Sequence, residues 1–194
     1  MSGFSNSAAI VGIGATEFSK ESGRSELQLS CEATLAALAD AGLTPKDVDG
    51  LVTFKMDNSS EIALARELGM GDLRFFSRVD YGGGAACGTV QQAAMAVATG
   101  VADVVVCYRG FNERSGQRYG QVQSWAATQI NSNGLDNAWS YPYGLSTPAA
   151  TVAMQARRYM HEYGATSRDF GVVAVADRKH AATNPNAFFY GKPI

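Results

Sequence analysis

The chain has 194 residues, 46% of them apolar and 18% charged, a globular composition with ample core material. A formal charge of −2 gives no basic field for nucleic acid or anionic lipid, and no apolar run approaches the roughly 20 residues that a bilayer-spanning helix needs. Met1–Ser5 shows neither a charged nor an apolar leader region, and Cys31, Cys87 and Cys107 are odd in number and widely spaced. That usage argues against a disulfide framework or a zinc site and predicts a cytoplasmic protein.

Ala8–Gly14 is a short apolar run closed by glycines and reads as a buried strand. Ser25 then caps a helix, with Gln28 as capping-box partner, an apolar stripe of Leu27, Cys31, Leu35 and Leu38, and Gly42 at its end. Thr44–Asp47 is a turn, Gly50–Phe54 a strand, and Ser59 or Ser60 opens a helix that stops at Gly69. Arg74–Val79 is a third strand. The triplet Gly82-Gly83-Gly84 leads into a helix of small residues from about Ala85 to Thr99, with Cys87 expected inside it as a small buried side chain. Asp103–Tyr108 is a central strand. Strands and helices that alternate in this way predict an α/β fold with helices on a mostly parallel sheet.

From Arg109 to Ser146 the pattern becomes polar and glycine-rich around Trp125, Trp139, Tyr141 and Tyr143. A loop region of that length inside a compact chain is usually functional. Trp139, Tyr141 and Tyr143 are candidates for the wall of a ligand pocket, since rings with polar tips suit such walls, although ordinary loop packing accounts for them equally well. Thr147 and Pro148 start a helix with the stripe Ala149, Val152, Ala156, Tyr159 and Tyr163, ended by Gly164, and Ser167 opens a last helix. His161, beside Arg157 and Arg158, reads as part of a solvated face and His180 as structural; neither has companions at metal-ligand spacing. The aromatic ending Phe188–Ile194 has no following element to cover it and predicts missing chain or a partner.

The glycine triplet sits where a strand hands over to a helix, a place that offers free backbone N–H groups and the positive end of the helix dipole. Here the chain resembles the thiolase superfamily. Gln91–Val106 is similar to the helix and strand that follow the thiolase nucleophile, Arg109–Glu113 to the next turn, Thr166–Asp169 to the start of a loop-domain helix, and Ile10–Gly14 to the family's first strand. The resemblance implies a thiolase-like N-terminal half at residues 1–110, with a mixed, mostly parallel sheet and helices on both faces. It implies a loop domain at 111–194, with the chain ending before a C-terminal half. Counting back about 17 residues from Gly100, the family's nucleophilic cysteine falls on Gly83. Covalent acyl transfer through that position is therefore excluded.

The segments Gly82–Cys87, Phe111–Gly116 and Phe189–Ile194 resemble the bacterial steroid side-chain-cleaving aldolases of the lipid-transfer-protein branch. That resemblance implies retro-aldol cleavage of a steroid β-hydroxyacyl-CoA with a 17-hydroxy C22 side chain, giving a 17-ketosteroid and propionyl-CoA. No cofactor is implied, CoA being part of the substrate. Gly82, Gly83 and Gly84 become the oxyanion-binding residues, and the acid and base are expected in the C-terminal half. Implied partners are a second copy joined through Arg74–Val79 and the OB-fold domain of a steroid acyl-CoA hydratase. Two rivals stand beside this reading: a degradative thiolase working through Cys87, and a non-catalytic acyl-CoA-binding scaffold subunit.

Overall fold

A computed structural model describes residues 5–54, 60–79, 86–112, 139–145 and 147–194, without the Tyr141 side chain. The chain divides into two compact units, Met1–Ser115 and Gly116–Ile194.

The first unit begins its regular structure with α1, Glu26–Ala41. Ser25 Oγ accepts the Gln28 N–H at 3.1 Å, and Gly42 ends the helix in the left-handed conformation at φ 68°. The Gln28 side chain does not return to the cap; it donates to Glu32 Oε1 at 3.0 Å. A 3-10 turn, Pro45–Asp47, is closed by the Asp47 carboxylate, which accepts from the Thr44 N–H and hydroxyl, each at 2.7 Å. These two bonds hold the Asp47 carboxyl below the ordinary carboxylate range. Then come β1 (Gly50–Phe54), α2 (Glu61–Leu68), β2 (Phe75–Val79), α3 (Gly88–Ala98) and β3 (Val105–Tyr108). Ser60 caps α2 by accepting the Ala63 N–H at 3.2 Å.

The described sheet has the order β2-β1-β3 and is parallel throughout, with Gly50 opposite Phe75 on one side and Val105 on the other. Every residue of the central strand β1 is buried, as a parallel strand covered on both faces requires. Leu51 faces a cluster with Leu38, Val48 and Leu64 under α1 and α2. Val52 and Phe54 face the opposite layer, with Val79 and Ala93 of α3. The amino edge is tied by Asp49. Its carboxylate accepts the Val104 N–H at 2.8 Å and the Asp103 N–H at 3.0 Å, and Arg74 Nε lies 3.3 Å away.

Two expectations need correction. Ala8–Gly14 forms no strand, and Ile10, Val11 and Ile13 are exposed. The segment lies along α1 instead, with Gly12 and Gly14 against the helix main chain. A Cβ on Gly14 would stand 2.3 Å from the Ala33 carbonyl oxygen, so only glycine permits this backbone-on-helix contact. The buried side of α1 is also not the predicted stripe. Leu29, Ser30, Thr34 and Leu38 are buried, Leu27 and Cys31 only partly, and Leu35 is exposed. At Ser30 a small side chain is required because the main chain of Gly110 presses on the helix there. Partial burial, with Glu67 and Glu32 nearby, pushes the Cys31 thiol up.

The second unit holds a 3-10 turn, Tyr141–Tyr143, and the helices α4 (Pro148–Tyr163) and α5 (Ser167–Thr183). Thr147 caps α4 through the Ala150 N–H at 3.2 Å. A reciprocal Thr166–Asp169 box starts α5 and lowers the Asp169 carboxyl. Neither helix has a buried residue, so the predicted stripe on α4 leaves Val152, Tyr159 and Tyr163 exposed. The aromatic ending does have local cover. Gly191 donates to the Ala182 carbonyl at 3.0 Å and the Arg178 guanidinium stacks on Phe189 at 3.9 Å, although Tyr190 and Ile194 remain exposed.

Candidate functional site

Parallel strands bring their carboxyl ends to one edge, where open α/β sheets bind ligands. In this unit those ends are Phe54, Val79 and Tyr108. The segment after Val79 carries Gly82, Gly83 and Gly84, which lie outside the described residues. Beyond it an Ala86–Cys87 turn enters α3. Cys87 is not inside the helix: it is the N-cap residue and is exposed. The reason is that helical hydrogen bonding begins late, Thr89 donating to the Ala86 carbonyl and Gln91 to that of Cys87.

Beside this exit, Arg78 near the end of β2 makes a two-pronged pair with Glu61 in the first turn of α2, at 3.1 and 2.8 Å. Glu61 is largely buried, and fork geometry of this kind fixes the strand end against the helix start. Ser77, one residue earlier, bonds to Gln92 of α3.

The carboxyl end of β3 makes the other wall. Arg109 lies over the rings of Phe54, at 5.3 Å, and Phe111, at 5.0 Å, so one guanidinium joins the ends of β1 and β3. Gly110 meets α1 directly: a Cβ there would stand 1.9 Å from Ser30 Oγ and 2.5 Å from the Glu26 carbonyl oxygen. Asn112 donates to the Arg24 carbonyl at 2.6 Å and accepts from Ser22 at 3.4 Å, which fastens the turn after β3 to the turn before α1. Arg24 is in turn paired with Glu17 and Glu32. Between the two turns is an open cleft of about 540 Å³.

Cys107 on β3 places its thiol 3.5 Å from the Thr89 carbonyl oxygen, and desolvation pushes that thiol up to about 11. A thiol raised in this way is mostly protonated at neutral pH and a poor nucleophile, even though the residue is exposed at the surface. Tyr141 and Tyr143 belong to the second unit, where Tyr143 is 80% exposed. His161 and His180 are exposed on α4 and α5. Among the described residues no group of three or more His, Cys, Asp or Glu side chains is placed to hold a metal. The Arg109–Phe54–Phe111 stack and the Asn112 clasp went unread in the sequence. Their only local signal is an arginine and an aromatic directly after a strand.

Comparison with known proteins agrees with this architecture. Residues 8–194 match the model of the thiolase N-terminal domain. The chain is 72% identical over 190 residues, 98% of its length, to a 17-hydroxy-3-oxo-4-pregnene-20-carboxyl-CoA lyase of Mycobacterium tuberculosis, of which that covers 49%. It is 71% identical over all 194 residues to a steroid side-chain-cleaving aldolase of Thermomonospora curvata, covering 50% of that protein. The solved Ltp2-ChsH2(DUF35) aldolase superposes with a TM-score of 0.85 at 70% identity, over 96% of this chain and 46% of that one. The chain thus spans about half the length of the curated relatives it matches. A parallel α/β unit with a glycine-rich strand-to-helix exit, matched over nearly its whole length, makes this chain a member of the thiolase family, in the region of that family's N-terminal domain.

Proposed function

We propose that the protein containing this chain is a carbon–carbon lyase that cleaves a steroid β-hydroxyacyl-CoA by a retro-aldol reaction. The observation that carries this reading is 72% identity, across 98% of the chain, to a lyase whose name specifies a 17-hydroxy steroid carboxyl-CoA. In the reaction a base removes the 17-hydroxyl proton and the C17 carbonyl forms as the C17–C20 bond breaks. The electron pair passes to the thioester as an enolate, and protonation at C20 releases propionyl-CoA. No acyl group is transferred to the protein. Glycine at position 83 suits such a step, since the enolate oxygen needs N–H donors and no nucleophile. Gly82, Gly83 and Gly84 supply those donors, and Tyr141 and Tyr143 line the substrate's path. CoA enters as substrate, and no further cofactor takes part.

Two partners belong to the proposal. A second copy pairs along Arg74–Val79. This is supported by the position of β2 at an edge of the described sheet, with Phe76 71% exposed. The OB-fold domain of a steroid acyl-CoA hydratase is the other, supported by the coupling of Ltp2 with ChsH2(DUF35) in the name of the solved relative. The reaction is placed in the cytoplasm, supported by three free cysteines. No described helix is long and apolar enough to cross a membrane.

The test is to incubate the natural polypeptide carrying this chain, with its partner, with a 17-hydroxy C22 steroid CoA ester. Ketosteroid and propionyl-CoA form in equal amounts; their absence overturns the reading. One observation favours acyl transfer as a second reading, the exposure of Cys87 at the N-cap of α3. Replacing Cys87 with Ala separates the two: the lyase keeps its turnover and the acyltransferase loses it.

A further inference from the structure

The cleft behind β3 is built for a particular shape of ligand. Its floor is main chain and small side chains: Gly14 and Gly110 both lie too close to α1 to carry a Cβ, and Ala33 completes the surface. A floor without projecting side chains is flat. Two rings stand over it, Phe111 and Phe18, the latter 72% exposed. Phe111 is held in place by the Arg109 guanidinium, and the adjoining Asn112 by its bonds to Ser22 and to the Arg24 carbonyl. The wall is therefore preformed. Hydroxyls of Thr16 and Ser19 stand on the rim. Arg24 is paired with Glu17 and Glu32, and Arg109 is stacked on Phe111. A cleft of about 540 Å³ with Phe18, Phe111 and small residues beside Thr16, Ser19, Ser22 and Asn112 suits a rigid, uncharged ligand that carries polar substituents on an apolar body.

We propose that this cleft receives the fused-ring body of the substrate, with the flat ring face on the Gly14–Gly110 floor and a polar ring substituent at the hydroxyl rim. The inference rests on the steroid-CoA lyase reading. It adds a location: strand exits lie about 4.8 Å apart in a sheet, so the exits of β3 and β2, two strands apart, are separated by about 10 Å. The ring body then occupies the β3 side of the edge while the thioester is processed at the β2 exit.

The probe is androst-4-ene-3,17-dione, which carries the ring system without CoA, titrated by calorimetry into the natural polypeptide with its partner. Two variants at exposed positions test the cleft without threatening the core: Ala15→Trp fills it and Phe18→Ala removes a wall. Melting curves confirm that both are folded. Ala15→Trp weakens the probe by about tenfold or more and Phe18→Ala by several-fold, while affinity for free CoA is unchanged. Unchanged probe affinity in folded Ala15→Trp overturns the proposal, as does a loss confined to CoA. The underlying reading fails separately. If the parent protein forms no ketosteroid from the CoA ester yet binds the probe, and Ala15→Trp abolishes that binding, the lyase falls and the cleft stands. If turnover is robust and the KM of Ala15→Trp is that of the parent, the cleft falls and the lyase stands.

Discussion

Asp49 offers the sharpest test of how the sheet is held. Its carboxylate accepts two main-chain N–H groups, those of Asp103 and Val104, and lies 3.3 Å from Arg74 Nε. Its own carbonyl accepts the N–H groups of Arg74 at 2.8 Å and Phe75 at 3.1 Å. One residue thus binds the entries of all three described strands. Hydrogen bonds to a charged group contribute about 1.5–3 kcal/mol each, but the Asp103 N–H regains water when released, so the two together amount to about 2–3 kcal/mol. The pair with Arg74, whose side chain is 49% exposed, adds under about 1 kcal/mol. Asp49→Ala loses all of it. Asp49→Asn keeps an oxygen for the N–H groups and loses the charge, at a cost of about 1 kcal/mol. Urea unfolding followed by circular dichroism reads both as shifts of midpoint at constant slope. Asp49 lies at the amino edge, away from the candidate site, so cleavage per folded molecule stays at the parent level. An alanine variant within about 0.5 kcal/mol of the parent, or an asparagine variant as costly as alanine, refutes the argument.

Gly110→Ala forces a Cβ into Ser30 Oγ and the Glu26 carbonyl and costs about 1–3 kcal/mol by overpacking; adding Ser30→Ala recovers part of it, and a melting-temperature cycle measures the coupling. Arg78→Met leaves the largely buried Glu61 carboxylate without its fork and costs more than Glu61→Gln, because only the first strands a charge; paired unfolding curves decide the order. Cys107, with its thiol raised to about 11, has about 100-fold less thiolate at neutral pH than a thiol at 9.0, so its iodoacetamide labelling accelerates as pH rises from 9 to 11; rapid labelling at pH 7 counts against the assignment. Asp47 and Asp169 are lowered in the folded state, so their contribution is present above the ordinary carboxylate value of 3.8 and is lost as pH falls below it; Asp169→Asn flattens the acid limb of a pH–stability curve.

What could be read in advance follows from how local each signal is. Ser25, Ser60 and Thr147 cap helices through their own third-following residue, so residue type and spacing suffice. Gly42, Gly69 and Gly164 end helices because a left-handed φ is a property of one residue. The failures are non-local. Ala8–Gly14 has strand composition, but its glycines seat the main chain against α1, a contact with a distant helix that local composition does not reveal. The inward face of α1 depends on what presses against it, and nothing at Ser30 or Ala33 announces main chain from positions 110 and 14. At the site, the glycine exit was legible as a strand-to-helix transition. Arg109 was not, because its partners Phe54 and Phe111 come together only when β1 and β3 pair.

The contact of Gly14 and Gly110 with α1 also bears on how this protein can change. A surface made of side chains drifts in shape whenever those side chains are exchanged. A surface made of peptide groups offers no such handle: at these two positions the smallest substitution collides with a helix, and anything larger collides harder. New ligand preferences in this cleft have to come from its standing rings, Phe18 and Phe111, and from the rim at Thr16 and Ser19. Libraries directed at those four positions explore altered selectivity, and libraries directed at Gly14 and Gly110 lose stability instead.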